Sequence, residues 1–205
     1  MNEGADRRPL AILTCGALAR EVREIAWARG WEADIHTVPA RHHLSPKRIA
    51  PDVDRRLRHL ERRYERVVVV YGDCGTGGAL DAVLEDHGVE RTPGPHCYEM
   101  LGGRAVLEAL RERPGTFFLT DWLVRNWDRA VVEGLGVGRF PFLRGPYFDH
   151  VTHVRYLRRE RDPILTERAR AVAEFLGCPI EIVDVGLGEL EGRLIDLVER
   201  PASTS

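Results

Sequence analysis

Short apolar runs alternate along this chain with stretches in which apolar residues recur every three or four positions. Residues 10–14 form an apolar run closed by Cys15 and Gly16, and 17–30 follow with Leu18, Val22, Ile25 and Ala26 at helical spacing. The spacing predicts a strand over 33–38 and a highly charged helix over 52–64, with Val53, Leu57, Leu60 and Tyr64 on one face. Val67, Val68, Val69 and Val70 make the clearest strand, and four consecutive β-branched residues imply burial on both faces, as in a central parallel strand. A glycine-rich turn over 75–78 leads into a helix over 79–87, and 89–93 reads as a short strand leading to His96 and Cys97.

The second half continues with a helix over 101–111 and a strand over 116–120, after which Asp121 can cap a helix. Residues 134–147 carry many glycines and prolines without clean periodicity, so they read as a loop or a lobe crossover. Strands over 150–156 and 179–185 and helices over 166–176 and 187–199 complete the series. Such βαβα alternation predicts an α/β fold, a mainly parallel sheet with helices on both faces. One domain over 10–199 with a single sheet is the simpler reading, and two similar lobes joined near 134–147 is the alternative. Residues 1–9 and 200–205 are expected to be flexible ends, Pro201 barring further helix.

Charge adds an exclusion. Lys and Arg number 30 against 32 Asp and Glu, a formal net charge of -2. That balance lacks the cationic footprint of a nucleic-acid binder. The polar start has no apolar leader, and no run reaches the ~18 apolar residues of a membrane span. A cytoplasmic protein with no nucleic-acid or membrane partner is the expectation, and there four cysteines are ligands, nucleophiles or core residues rather than disulfide partners.

Three of those cysteines, Cys15, Cys74 and Cys97, sit at predicted strand exits. In an open α/β sheet the carboxyl ends of the strands line a shared crevice, so distant residues can converge there. Cys15 and Cys74 also precede helix N-termini, where the dipole favours thiolate. Three sulfur donors with an open fourth position suit a zinc ion or an iron–sulfur cluster. Tetrahedral zinc, at about 2.3 Å per Zn–S bond, would draw the sulfurs to within about 4 Å of one another. The turn formed by Gly72, Asp73, Gly75, Thr76, Gly77 and Gly78 is a candidate cradle for a small anionic ligand, because its N–H groups and the following helix favour negative charge. It has neither the lysine of a Walker A loop nor the spacing of a dinucleotide fingerprint.

His43, in a strand-end loop, and His96 and Glu99, flanking Cys97, are the candidate catalytic groups: further ligands, substrate-facing groups or a general base. Cys178, between a helix end and Pro179, is expected to pack. Trp27, Trp31, Trp122 and Trp127 are likewise assigned to core packing.

Leu-Thr-Cys-Gly at 13–16, Pro-Ala-Arg-His-His-Leu-Ser-Pro at 39–46, Tyr-Gly-Asp-Cys-Gly-Thr-Gly-Gly at 71–78 and His-Cys-Tyr-Glu at 96–99 occur in that order. In this the chain resembles the bacterial and archaeal family filed as domain of unknown function sixteen thirty-eight. The resemblance covers most of residues 10–186 and implies that Cys15, His43, Cys74 and Cys97 occupy motif positions, while Cys178 does not. Asp73, Thr76 and His96 depart from the family pattern. Members are often encoded near corrinoid-dependent methyltransferases, which implies a role in one-carbon metabolism. The expectation is thus a metal- or cluster-binding α/β protein, accessory to corrinoid-dependent methyl transfer. Two alternatives stand beside it: a metal-free thiol enzyme with a Cys nucleophile and His base, and a non-catalytic carrier or assembly factor for a corrinoid or metal partner.

Overall fold

The computed structural model describes residues 8–200. Among the described residues, six parallel strands form two three-stranded sheets rather than one, and the chain divides into two compact units, residues 8–97 with 190–200, and residues 98–189. The α/β class stands. The expectation of a single sheet does not, because hydrophobic periodicity reports which residues are buried and not which strand pairs with which.

In the first unit, β1 (Arg8–Cys15) is flanked by β2 (Ala33–Val38) and β3 (Tyr64–Val70), giving the order β2-β1-β3. The connecting helices are α1 (Ala19–Ala28), α2 (Ile49–Leu60) and α3 (Ala79–His87). Ala11, Leu13 and Cys15 pack with Val53, Leu57, Leu80 and Leu84 on one face, while Ile12, pointing the other way, is also fully buried. Removing such a side chain, as in Ile12→Ala, costs about 2–5 kcal/mol. The helix expected to reach residue 64 stops at Leu60. Tyr64 continues the apparent spacing but opens β3, its hydroxyl donating to Asp34 at 2.7 Å.

The strand expected over 89–93 is a single bridge between Val69 and Arg91. Pro93 has no N–H with which to extend the ladder.

α4 (Cys97–Glu112) begins at the third cysteine and breaks at Gly103, whose φ is 53°. In the second unit, β4 (Thr116–Thr120), β5 (His153–Arg158) and β6 (Ile180–Asp184) lie side by side in chain order. Val106 and Ala109 of α4 cover one face at Phe118 and Leu157. α5 (Asp121–Arg125) and α7 (Pro163–Leu176) pack against Leu119 and Tyr156 on the other. Residues 134–147 are no lobe boundary: they lie inside this unit and contain a short 3-10 turn, Pro141–Leu143, running into α6 (Arg144–Phe148).

Thr120, not Asp121, caps α5, accepting the Leu123 N–H at 3.3 Å. Asp121 is buried and instead accepts the Tyr156 hydroxyl at 2.6 Å and the Glu160 N–H at 2.9 Å. Trp127 is core as expected, but Trp27 is 85% exposed. The chain returns to the first unit with α8 (Leu190–Glu199), where the carbonyls of Leu197 and Val198 accept from Arg66 of β3. No helix among the described residues is long and apolar enough to cross a membrane. The expectations for residues 1–9 and 200–205 fall almost wholly outside 8–200.

Candidate functional site

The strand order of the first sheet sets the position of the site. From β1 the chain moves to β2 on one side and then crosses to β3 on the other, so the carboxyl ends of β1 and β3 flank the point where the winding reverses. Open α/β sheets hold their ligands at such a point. Cys15 ends β1 and Cys74 follows β3 by four residues. The second sheet, with its strands in chain order, has no reversal.

Backbone contacts draw the three thiol-bearing loops together. Gly16 donates its N–H to the Val38 carbonyl at 2.8 Å, bringing the exit of β1 to the segment that carries His43. Cys74 N–H donates to Pro95 O at 2.8 Å and Asp73 N–H to Gly94 O at 3.2 Å, joining the second loop to the third. Glycine is required at position 72, because a Cβ there would stand 2.7 Å from His96 Cα. Arg91 ties the same loops from behind: its Nη1 donates to the carbonyls of Tyr71, Thr92 and Gly94 at 3.0–3.3 Å, while Asp81 holds the rest of the guanidinium.

At the centre is Tyr71, which sequence reasoning missed. It continues the β1–β3 register one step beyond the Thr14–Val70 pair, which places it beside Cys15 in the same buried cluster. Its side chain is fully buried, and its hydroxyl has no hydrogen-bond partner of normal geometry. Burial pushes its pKa upward, and the Cys15, Cys74 and Cys97 thiols add to the rise, Cys15 also as a hydrogen-bonding neighbour. The His43 ring lies parallel to the Tyr71 ring, 9° from coplanar with centroids 5.8 Å apart. His43 Nδ1 bonds the Ala40 carbonyl at 2.8 Å, which makes Nδ1 the protonated nitrogen. One side of the ring is open to solvent, while crowding on the other lowers its pKa, assisted by His96 and His42. The neutral ring therefore keeps a lone pair on Nε2.

The thiols are deeper than their helix-proximal positions suggested. Cys15 is 2% exposed, and burial pushes it up to about 12 against the opposing pull of the Ala17 N–H. Burial likewise pushes Cys74 up to about 11, with the backbone N–H groups of Cys97 and Gly72 pulling down. Desolvation outweighs the helix dipole here. Cys74 is also the one described non-glycine residue with a left-handed backbone, φ 48°, a conformation costing about 1–2 kcal/mol for a residue with a side chain.

The glycine-rich turn is already filled. Asp73 turns its carboxylate into the loop and accepts from the N–H groups of Gly75, Gly77 and Gly78 and from the Thr76 hydroxyl at 2.7–3.4 Å. Those bonds, the Thr76 one foremost, lower its pKa to about 2. The donors expected to cradle an external anion thus hold the chain's own.

Cys15, Cys74, Cys97, His43 and His96 all fall in the first unit. Glu99, buried in the first turn of α4, belongs to the second. Cys178 lies in the second unit as well, its thiol donating to Val151 O at 3.2 Å while it packs against the core. Among the described residues, no three His, Cys, Asp or Glu side chains stand at ligand spacing around one point. The donor types, three thiols on loops joined by backbone hydrogen bonds, are those a soft metal takes.

Residues 37–194 match the model of a family described as "Protein of unknown function (DUF1638)". The chain belongs to the DUF1638 family. The matched region includes His43, Tyr71, Cys74, His96 and Cys97 and begins after Cys15. No curated protein and no solved structure matches the chain. The DUF1638 assignment carries no activity of its own, so the argument for function rests on the grouping around Tyr71.

Proposed function

We propose that the protein binds a soft metal centre, a zinc ion or an iron–sulfur cluster, through the thiolates of Cys15, Cys74 and Cys97. The observation that supports this reading is the backbone hydrogen bonding of the Cys74 loop to the Pro95 segment that precedes Cys97, with Cys15 at the end of the adjoining strand β1. Protonated thiols held at such depth gain little from their surroundings. A bound cation would deprotonate them and reverse the penalty of desolvation. The centre would supply Lewis acidity or a redox couple. This chain's residues would hold it, shield it with Tyr71 and leave His43 at the solvent side. Three thiols kept free for a metal suit a reducing compartment such as the cytoplasm.

The metal-free thiol enzyme is the weaker alternative. A nucleophile must be thiolate near neutral pH, and Cys15 and Cys74 are pushed to about 12 and about 11. A carrier or assembly role would use the same three ligands. The link to corrinoid-dependent methyl transfer comes from the family resemblance alone.

Anaerobic purification followed by quantification of zinc, iron and sulfide per chain tests the reading. About one zinc, or stoichiometric iron with sulfide, is the expected result. Ser in place of Cys15, Cys74 or Cys97 should each abolish metal retention, and Cys178→Ser should not. No metal under either aerobic or anaerobic conditions sinks the proposal.

A further inference from the structure

The second unit holds an apolar pocket of about 430 Å³. One wall is Val124, Trp127 and Val132, and the other is Ala171, Val172 and Phe175 of α7, which with Arg168 recur at the spacing of one helix face. The first wall owes its shape to a π-helical segment, Asp128–Glu133. A π turn is one residue wider than an α turn, so Val131 enters the core and Val132 takes the place on the wall. Such turns are rare and are frequent at functional sites. Two of the lining rings hold each other: Trp127 and Phe175 meet edge to face at 74°, with centroids 5.8 Å apart. The Arg144 guanidinium lies 4.8 Å from the Phe175 centroid and donates to the Phe175 carbonyl. The pocket is therefore formed before any ligand arrives.

Two exposed charges, Arg168 and Asp128, line this apolar space. Among the described residues they form no ion pair with each other, and neither side chain has a hydrogen bond or ion pair elsewhere. A guanidinium and a carboxylate that share one pocket without pairing are complementary to a zwitterion with an apolar body.

We propose that this pocket binds a free α-amino acid with a large apolar side chain, such as leucine or phenylalanine. Arg168 takes its carboxylate, Asp128 its ammonium group, and the Trp127–Phe175 pair its side chain. The volume falls within the range of about 300–1,000 Å³ usual for small-molecule sites. The proposal stands independently of the metal reading, whose three cysteines all belong to the first unit.

Isothermal titration of the full chain with L-phenylalanine and L-leucine tests the site, with ligand-observed NMR for weak binders. Both should bind. 3-Phenylpropionate, which lacks the ammonium group, and phenethylamine, which lacks the carboxylate, should each bind at least about tenfold more weakly than phenylalanine, the scale of one charge-assisted hydrogen bond. Arg168→Gln should weaken phenylalanine and 3-phenylpropionate and leave phenethylamine unchanged, and Asp128→Asn should weaken phenylalanine and phenethylamine and leave 3-phenylpropionate unchanged. Because both side chains are exposed, both variants should keep the wild-type melting temperature. Ala171→Phe, which fills the pocket from α7, should abolish binding of all four compounds.

Three results overturn the proposal. One is that neither amino acid binds at millimolar concentration. Another is binding that neither Arg168→Gln nor Asp128→Asn weakens, which puts the ligand elsewhere. The third is a dimer in solution that Ala171→Phe dissociates while no amino acid binds, which makes the pocket an interface between copies of this chain.

Discussion

The Asp73 carboxylate lies 3.1 Å from the backbone nitrogen of Gly78, the residue that leads into α3. With Gly75, Gly77 and Thr76 also donating, the side chain acts as an internal plug for a loop that otherwise has the form of an anion site. The loop's shape, and with it the position of Cys74, depends on that plug.

Asp73→Ala should therefore destabilise the protein by about 1 kcal/mol, the scale of a lost cap, and speed amide exchange at Gly75, Gly77 and Gly78. Its pH dependence has a defined sign. The folded pKa is lowered from 3.8 to about 2, so the contribution is complete above the unfolded value and disappears as pH falls through that range. Urea unfolding of wild type and variant should converge near pH 2.

Gly72→Ala should displace the loop that carries His96 and Cys97, because backbone atoms of residues 95 and 96 would lie 2.7–2.9 Å from the new Cβ. We expect a loss of about 1–3 kcal/mol, the range for overpacking, measured by chemical denaturation. Alkylation of Cys97 should accelerate while that of Cys178 does not.

Alkylation rates decide between ligand and nucleophile. In the metal-free protein the rate at Cys74 should climb about tenfold per pH unit until it levels near 11, and Cys15 should react more slowly throughout. A Cys74 rate that levels off near pH 7 would favour the metal-free enzyme. Peptide mapping by mass spectrometry resolves the sites.

His87 joins α3 to α2, with Nδ1 2.7 Å from Glu61 and Nε2 2.9 Å from Asp54. Burial lowers its pKa, but the two carboxylates outweigh burial and raise it above 6.5. A raised histidine stabilises most below its unfolded pKa and loses that effect as pH climbs through the folded value. The stability gap between wild type and His87→Gln should be widest between about pH 5 and 6 and narrow toward pH 9, by denaturation at each pH.

Local patterning carried most of the elements. The four valines of β3 and the periodicity of 79–87 could be read directly, because burial and helical spacing leave a mark on neighbouring residues. Pairing leaves none: nothing in Thr116–Thr120 says that it joins β5 rather than β3, so a single sheet and two lobes both remained open to the sequence. At the site, strand-end placement singled out Cys15, Cys74 and Cys97, which fall in the first unit, whereas Cys178 falls in the second. Depth was not visible, so the thiols were expected to be acidic when burial makes them the reverse. Tyr71 was missed because an aromatic after four valines reads as core, and only its unpartnered oxygen distinguishes it. Asp73 was counted as part of a cradle that it in fact occupies.

The backbone at Cys74 suits glycine better than any residue with a side chain, and glycine stands at 72, 75, 77 and 78 around it. In the genetic code a single base change converts either cysteine codon to a glycine codon. Relaxation of this loop is thus one of the most accessible substitutions open to the gene, and it would remove a sulfur while easing the fold. Position 74 thus sets two demands against each other: the backbone there favours glycine, and only a cysteine there keeps the sulfur.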